Sequence, residues 1–446
     1  NKNGQAILNI FKLPNFFNRV ISGGNYNYIW QQVSEVPKKQ NMLKLDYNPA
    51  PSDRISLRVR TWWADTRQYN IFGTIQSNWD LLRSHYLFTE NSVAGTWTKV
   101  ISPRSVNEFT VSYRALAETS PKRTPDEYDP ITRKVRGLST LGQWHPSENP
   151  EGIIPQLSFG GVPNAANVAI DVLGRLPIDA HDYRWTVVDN ITYSYGPHTF
   201  KAGIYWEFNN ASEGPRSNFT GRFDFSRDVN NPFDSNWAYS NTILGNFYSY
   251  TESTKKTVGR NELTLWEWFA QDTWKVTRRF TLDYGMRFTL STPWSFPDGD
   301  AAAFVASAYD PSKAPLLISP IRDAQGKRVG WDPVSQSYVP TPLIGAYAPN
   351  SGNPVNGMVT AADPKYKDGF NQGTGLRLGP RFGFAYDVFG DGKTALRGGA
   401  SITRNPIQSN GRYSNYVSGS PPVQYNPVLY YGNLDTFLGA SGALSP

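Results

Sequence analysis

This 446-residue chain contains no cysteine, only four histidines and three methionines, and no uninterrupted apolar run near 18 residues. Without cysteine there can be no disulfide framework, thiolate metal site or cysteine nucleophile, and the chain can cross an oxidising compartment without mispairing. The lack of a long apolar run and a mean hydropathy of -0.50 exclude helical membrane spans. They leave open a β-barrel, whose spanning strands need only about ten alternating residues. The net charge is +7, yet the Lys and Arg residues are scattered with no basic block, which argues against nucleic acid as a partner.

The strongest positive signal is alternation. From Arg279 to Phe288, the residues Phe280, Leu282, Tyr284, Met286 and Phe288 fall on one face and Thr281, Asp283, Gly285 and Arg287 on the other. After Pro197, Phe200, Ala202, Ile204 and Trp206 oppose Lys201, Gly203, Tyr205 and Glu207. Leu43, Leu45 and Tyr47 oppose Lys44 and Asp46, and Ile55, Leu57 and Val59 oppose Ser56, Arg58 and Arg60. Phe109, Val111 and Tyr113 oppose Glu108, Thr110, Ser112 and Arg114, and Phe382, Phe384 and Tyr386 oppose Arg381, Gly383 and Asp387. A soluble β-sandwich or propeller also alternates. Charges at many polar positions suit a water-filled or plugged lumen better than a second buried face.

Connection lengths fall into two classes. Short turns at Asn48 to Asp53, Ser102 to Ser105, Tyr195 to His198, Lys275 to Arg278 and Phe389 to Gly392 contain Pro, Gly, Asn and Asp, residues that set or tolerate turn dihedrals. Long segments run roughly from Thr61 to Leu82, Ala115 to Asp182, Asn209 to Arg260 and Thr289 to Leu378. Several structureless loops of more than about 15 residues are foreign to a compact soluble domain. Outer-membrane barrels have this asymmetry, with short periplasmic turns and long extracellular loops. Aromatic residues make up 14% of the chain, as the ring girdles of such barrels require. The expected fold is therefore all-β, an antiparallel transmembrane β-barrel of which roughly a dozen strands are present.

No catalytic constellation emerges, and no metal ligand set or cofactor motif. His85, His145, His181 and His198 lack the i, i+4 partner of a helical zinc motif, and His198 reads as an exposed turn residue. Ser253 and Lys256 have the Ser-x-x-Lys spacing but lie in a polar tract, and Gly390 to Lys393 reads as a hairpin turn instead of a phosphate loop. Sequons at Asn190 and Asn218 carry no weight in strands of this kind.

The run Trp266 to Thr277, followed by Arg279 to Phe288, resembles a barrel hairpin of TonB-dependent outer-membrane receptors. Gly379 to Asp387 with Gly390 to Gly399 resembles another, from the Oar-like branch. Ile7 to Asn15 is similar to the segment leaving the plug, and Lys44 to Arg58 to an early hairpin. Ile191 to Ala202 and Asn241 to Tyr250 also look like family barrel segments, so the likeness covers most strands from about residue 5 to 405.

What the resemblance implies is a barrel of about 22 strands around an N-terminal plug, set in outer-membrane lipid of a Gram-negative cell. Such a receptor takes up a scarce ligand, an oligosaccharide, peptide or chelate, driven by a TonB-type energy-coupling protein. Residues 1–20 would connect the plug to a partial barrel domain at 21–446. The plug, its coupling box, the preceding carboxypeptidase-regulatory-like domain and a closing aromatic strand do not appear, so the sequence reads as an internal fragment that transports nothing actively alone. Candidate ligand contacts are Trp237, Tyr239, Phe247 and Tyr248 in an aromatic, amide-rich loop. Arg58, Arg60, Lys201, Glu207, Asp283 and Arg287 are the expected lumen charges facing the plug. Two other readings remain at this point, a soluble secreted all-β protein that binds or cleaves carbohydrate, and a passive porin.

Overall fold

A computed structural model describes residues 1–31, 33, 35–68, 84–120, 131–162, 178–212, 217–366, 369–370, 375–404 and 418–446. Ten strands form one antiparallel sheet: β1 (Lys38–Ala50), β2 (Asp53–Gln68), β3 (Ser84–Ser102), β4 (Ser105–Ser120), β5 (Ile178–Tyr195), β6 (His198–Ser212), β7 (Arg260–Lys275), β8 (Phe280–Ser291), β9 (Arg377–Asp387) and β10 (Ala395–Ser401). Each pairs with its neighbours in sequence, giving a pure meander from β1 to β10. Among the described residues the two edge strands do not pair with each other.

All five expected short turns lie at one end of the sheet, and local chemistry closes each in its own way. At Tyr195 to His198, Gly196 adopts φ +55°. The Thr277 hydroxyl accepts from the backbone N–H groups of Arg279 and Phe280 at 3.1 and 3.0 Å. Ser102 Oγ accepts from Arg104 N–H at 3.2 Å. In the last turn the Asp387 carboxylate accepts from Gly390 and Gly392 N–H, both at 2.9 Å. At the opposite end the strands run further than alternation alone indicates, β2 to Gln68 and β4 to Ser120.

The register keeps the two faces separate across the sheet. One carries Leu43, Leu45, Ile55, Ile204, Phe382 and Leu396, each between 43% and 58% exposed. Cross-strand ring pairs strengthen that face, with Tyr113 against Trp185 at 4.5 Å, Trp206 against Trp266 at 6.1 Å and Trp268 against Phe288 at 5.6 Å. An apolar surface this wide and open suits lipid, and the other face is polar.

The principal hydrophobic core lies outside the sheet, in the long connections. Helix α1 (Lys2–Leu8) and segments 131–162, 217–254 and 428–439 share it, through Ile7, Leu138, Ile154, Phe223, Tyr250 and Phe437, among others. Helix α2 (Arg19–Ser22) follows α1, and helix α3 (Ala238–Leu244) lies directly against α1. The contact is so close that a Cβ on Gly4 would meet the Thr242 carbonyl oxygen at 1.9 Å. Residues 1–20 thus sit at the long-loop end, where β1 also begins.

Two buried charged groups tie this cap together. Arg133 donates to the carbonyls of Ile153 (3.2 Å), Leu141 (2.6 Å), Gly142 (3.1 Å) and Thr220 (3.0 Å), and burial pushes its guanidinium below the usual arginine range. The Glu252 carboxylate accepts from Trp144 N–H at 2.6 Å, His145 N–H at 2.8 Å and the Tyr250 hydroxyl. Burial and the adjacent Glu252 charge push the Tyr250 phenol upward. Ile178 and Ala180 belong to the same core and lie on the polar face of β5, so the cap extends over that face at the loop end.

Phe223→Ala should cost the cap about 3–5 kcal/mol, as expected for an aromatic deletion in a packed core. Proteolysis of outer-membrane vesicles from outside should then nick 131–162 and 217–254 faster while the strands stay protected. Arg133→Lys retains one charge but loses the fork that spans four carbonyls, and hydrogen exchange of the cap amides should rise in the same segments.

Candidate functional site

The polar face collects all six charges expected there. Arg58 stands opposite Ala94, and the row continues through Ser112 and Thr186 to Glu207. Lys201 faces Gln271, while Asp283 and Arg287 face Thr273 and Phe269. Because directly opposed residues share a face, these side chains line one surface.

A ladder of alternating charge crosses five strands of that surface. Arg60 lies 3.4 Å from Glu90, which Arg114 approaches at 3.3 Å. Arg114 also reaches Asp182 at 3.8 Å, Arg184 is 3.9 Å from the same carboxylate, and Arg184 ends the ladder on Glu207 at 3.6 Å. Glu207 further accepts from the Tyr205 hydroxyl and is largely buried. On β7 and β8, Arg287 pairs with Glu267 at 2.5 Å, which also accepts from Thr289 at 2.8 Å. Thr273 donates to Asp283, and Arg381 donates to Gln271 at 2.8 Å. For Arg58 and Lys201 no carboxylate partner occurs among the described residues.

Two hollows open on this face. One, of about 350 Å³, is lined by Arg58, Arg60, Arg114 and Arg184 with Met42 and Ser92. The other, of about 670 Å³, is lined by Asp283, Arg287, Arg381 and Arg404 beside Gly379 and Gly383. The surface is thus prepared to hold a polar partner by charge and hydrogen bonds.

The loop aromatics divide. Trp237 is open to solvent, 44% exposed, and immediately precedes α3. Tyr239 is wedged between Phe11 and Phe159, at 6.4 and 5.2 Å, and lines a hollow of about 900 Å³. Tyr248 meets Tyr430 and Tyr431 edge-on at 5.7 and 6.0 Å. Phe247 corrects the expectation of a ligand contact. At 1% exposure it packs edge-on against Phe223 and Phe437 and is a core side chain. Within the 246–251 strand Phe247 and Tyr250 belong to the core, whereas Tyr248 does not.

His198 also differs from its sequence reading. Its Nδ1 lies 2.6 Å from Asp272, which accepts from the Tyr284 hydroxyl at 3.0 Å on the apolar face near the turns. An acidic group there has to be covered by partners, and the turn histidine supplies one. His145 and His181 are described, the latter 3.1 Å from Asp179, whereas the His85 side chain lies outside the described residues. The Ser253 hydroxyl, in the Ser-x-x-Lys spacing, donates to Asn426 at 2.5 Å and accepts from Asn218 N–H at 2.8 Å. Lys256 lies over the Phe219 ring at 4.5 Å, so the spacing serves cap packing.

Sequence reasoning placed Arg114 on the polar face but missed its partners Glu90 and Asp182, and Arg184, whose pairing depends on strand register. It also missed the rings of residues 11–30. Their signal was the density of Phe11, Phe16, Phe17, Tyr26, Tyr28 and Trp30 within twenty residues.

Comparison with known proteins gives three results. Among curated proteins, none matches the sequence significantly. Solved structures similar to the chain include the copper transporter OprC, at 11% identity and a TM-score of 0.39, covering 90% of this chain and 45% of OprC. Similar too is the open form of the ferric-catecholate import receptor Fiu from E. coli K12, at 10% identity and a TM-score of 0.39, covering 89% and 49%. The unliganded ferric citrate transporter FecA follows at 9% identity and a TM-score of 0.30, covering 80% and 34%. The chain therefore spans less than half the length of these structures. The family model described as "Outer membrane beta barrel domain" matches residues 1–441, nearly the whole sequence. With its antiparallel meander and its two segregated faces, the chain belongs to this outer membrane β-barrel domain family, and its place is the outer membrane of a Gram-negative bacterium.

Proposed function

We propose that this chain forms barrel strands and loops of a TonB-dependent receptor of the Oar-like branch, which imports a scarce oligosaccharide, peptide or chelate. The observation that carries the reading is the charge ladder from Arg60 to Glu207 on the face turned away from lipid. Carboxylates neutralise most of its arginines in place, which suits a lumen filled by a folded partner. Arg58 and Lys201 then remain to meet carboxylates of the receptor's own plug domain. In this reading residues 1–20 lead from the plug into the barrel domain, 21–446, and a TonB-type protein pulls on the plug from the periplasm.

Loop sequence sets what is admitted, and the cap holds those loops in one arrangement. The strands give the route and the cap the selection. A soluble carbohydrate-active protein would not present an apolar sheet face of this extent to water, and the outer-membrane family leaves that alternative without support.

Charge reversal in the full-length parent protein tests the reading. Arg58→Glu and Lys201→Glu should loosen the plug, making it cleavable by protease from the periplasmic side, while the barrel keeps its faster gel mobility before heating. Unchanged plug protection in both variants would remove the plug-contact role. A parent protein found in the soluble fraction, with mobility insensitive to heating, would overturn the transport reading altogether.

A further inference from the structure

We infer that the smaller hollow on the polar face is an oxyanion site, where a phosphate or carboxylate group of a ligand in transit is held against the lumen wall. This inference rests on the transport reading and gives the imported ligand an acidic group.

Strand register builds the site. Arg60, Arg114 and Arg184 stand in one row across β2, β4 and β5. The adjacent row on the loop side carries Glu90 and Asp182, which take these arginines at 3.3 to 3.9 Å. The adjacent row on the turn side begins with Arg58, continues through Ala94, Ser112 and Thr186, and ends at Glu207. Carboxylates therefore hold the arginine row mainly from one side, and small side chains leave space on the other. That space is the hollow of about 350 Å³, lined by all four arginines over a floor of Ala94, Ser112 and Thr186. Its size is at the low end for a small-ligand site.

Two observations show donor capacity left over. Arg58 has no carboxylate partner among the described residues. The Nε groups of Arg60 and Arg184 are buried without a hydrogen-bond acceptor, and the latter stays 3.6 Å from Glu207. Buried donors of this kind are costly to leave unmade, and an oxyanion in the hollow supplies acceptors to charged groups that already line it. Guanidinium forks match the planar carboxylate and the phosphate group, and the Ser112 hydroxyl adds a further donor. With five N–H donors, Arg58 can hold a plug carboxylate along one edge and still turn others to the hollow.

Arginine labelling tests the site in the full-length protein in detergent, with folding shown by heat-modifiable mobility. Phenylglyoxal modification is read peptide by peptide by mass spectrometry, in inorganic phosphate and in chloride of equal ionic strength. Arg54, on the same face of β2 and paired with Asp46 at 3.1 Å, is the internal control. Phosphate well above its dissociation constant should slow labelling of Arg58 about tenfold and leave Arg54 unchanged. Ala94→Glu places a fixed carboxylate directly opposite Arg58 and should erase the phosphate effect. The proposal fails if a folded wild type labels Arg58 equally in both salts, if phosphate slows Arg54 as much as Arg58, or if protection survives Ala94→Glu. Arg58 unreactive in both salts would reserve the hollow for the plug and likewise overturn it. Each of these results leaves the transport reading standing, whereas absence of heat-modifiable mobility in the wild type would remove the barrel on which both rest.

Discussion

Inside a hydrocarbon layer every backbone N–H and C=O must find its partner within the protein. A chain that spans with strands meets that demand by pairing each strand with the next, and the β1 to β10 meander does so without a crossover. Once the ladder is fixed, the period of two decides the rest. One face must satisfy lipid and carries Leu, Ile, Phe and Trp, and the other must satisfy whatever fills the lumen. The Arg60 to Glu207 ladder is the consequence on the polar side, since opposite charges on adjacent strands compensate one another.

Beyond the membrane the constraint changes. The long connections can hydrogen-bond to water, but their apolar residues still gain by leaving it. Four segments far apart in sequence therefore share a core that the spanning sheet does not possess. Arg133 and Glu252 supply what the loop backbone cannot pair for itself, and each bridges separate segments. Loops organised in this way act as one body, which keeps any surface they present in a fixed shape.

The sequence disclosed the spanning part well. Alternation from Phe280 to Phe288 and from Phe200 to Trp206 is purely local, so the face of Arg58, Lys201 and Asp283 could be assigned before any pairing was known. The five turns were legible because Gly196, Thr277 and Asp387 act within their own hairpins. What stayed hidden depends on distant residues. Ile7 and Phe437 meet Phe223 only in the folded cap, and Phe247 looks like any loop aromatic until its neighbours are placed. Strand ends were underestimated for the same reason. Leu263 and Leu265 stand on the polar face of β7, where the fold buries them, so the alternation that marks the membrane part breaks down there.

The central claim is that one sheet face meets lipid and the other an aqueous or plugged lumen. Because this stretch contains no cysteine, single cysteines at Leu45, Ile204 and Phe382, compared with Lys44, Arg58 and Lys201, would test it in the full-length protein with any cysteines elsewhere replaced. A fluorophore attached at each position should be quenched by brominated lipid at the first three and not at the second three. Equal quenching at both sets would contradict the account.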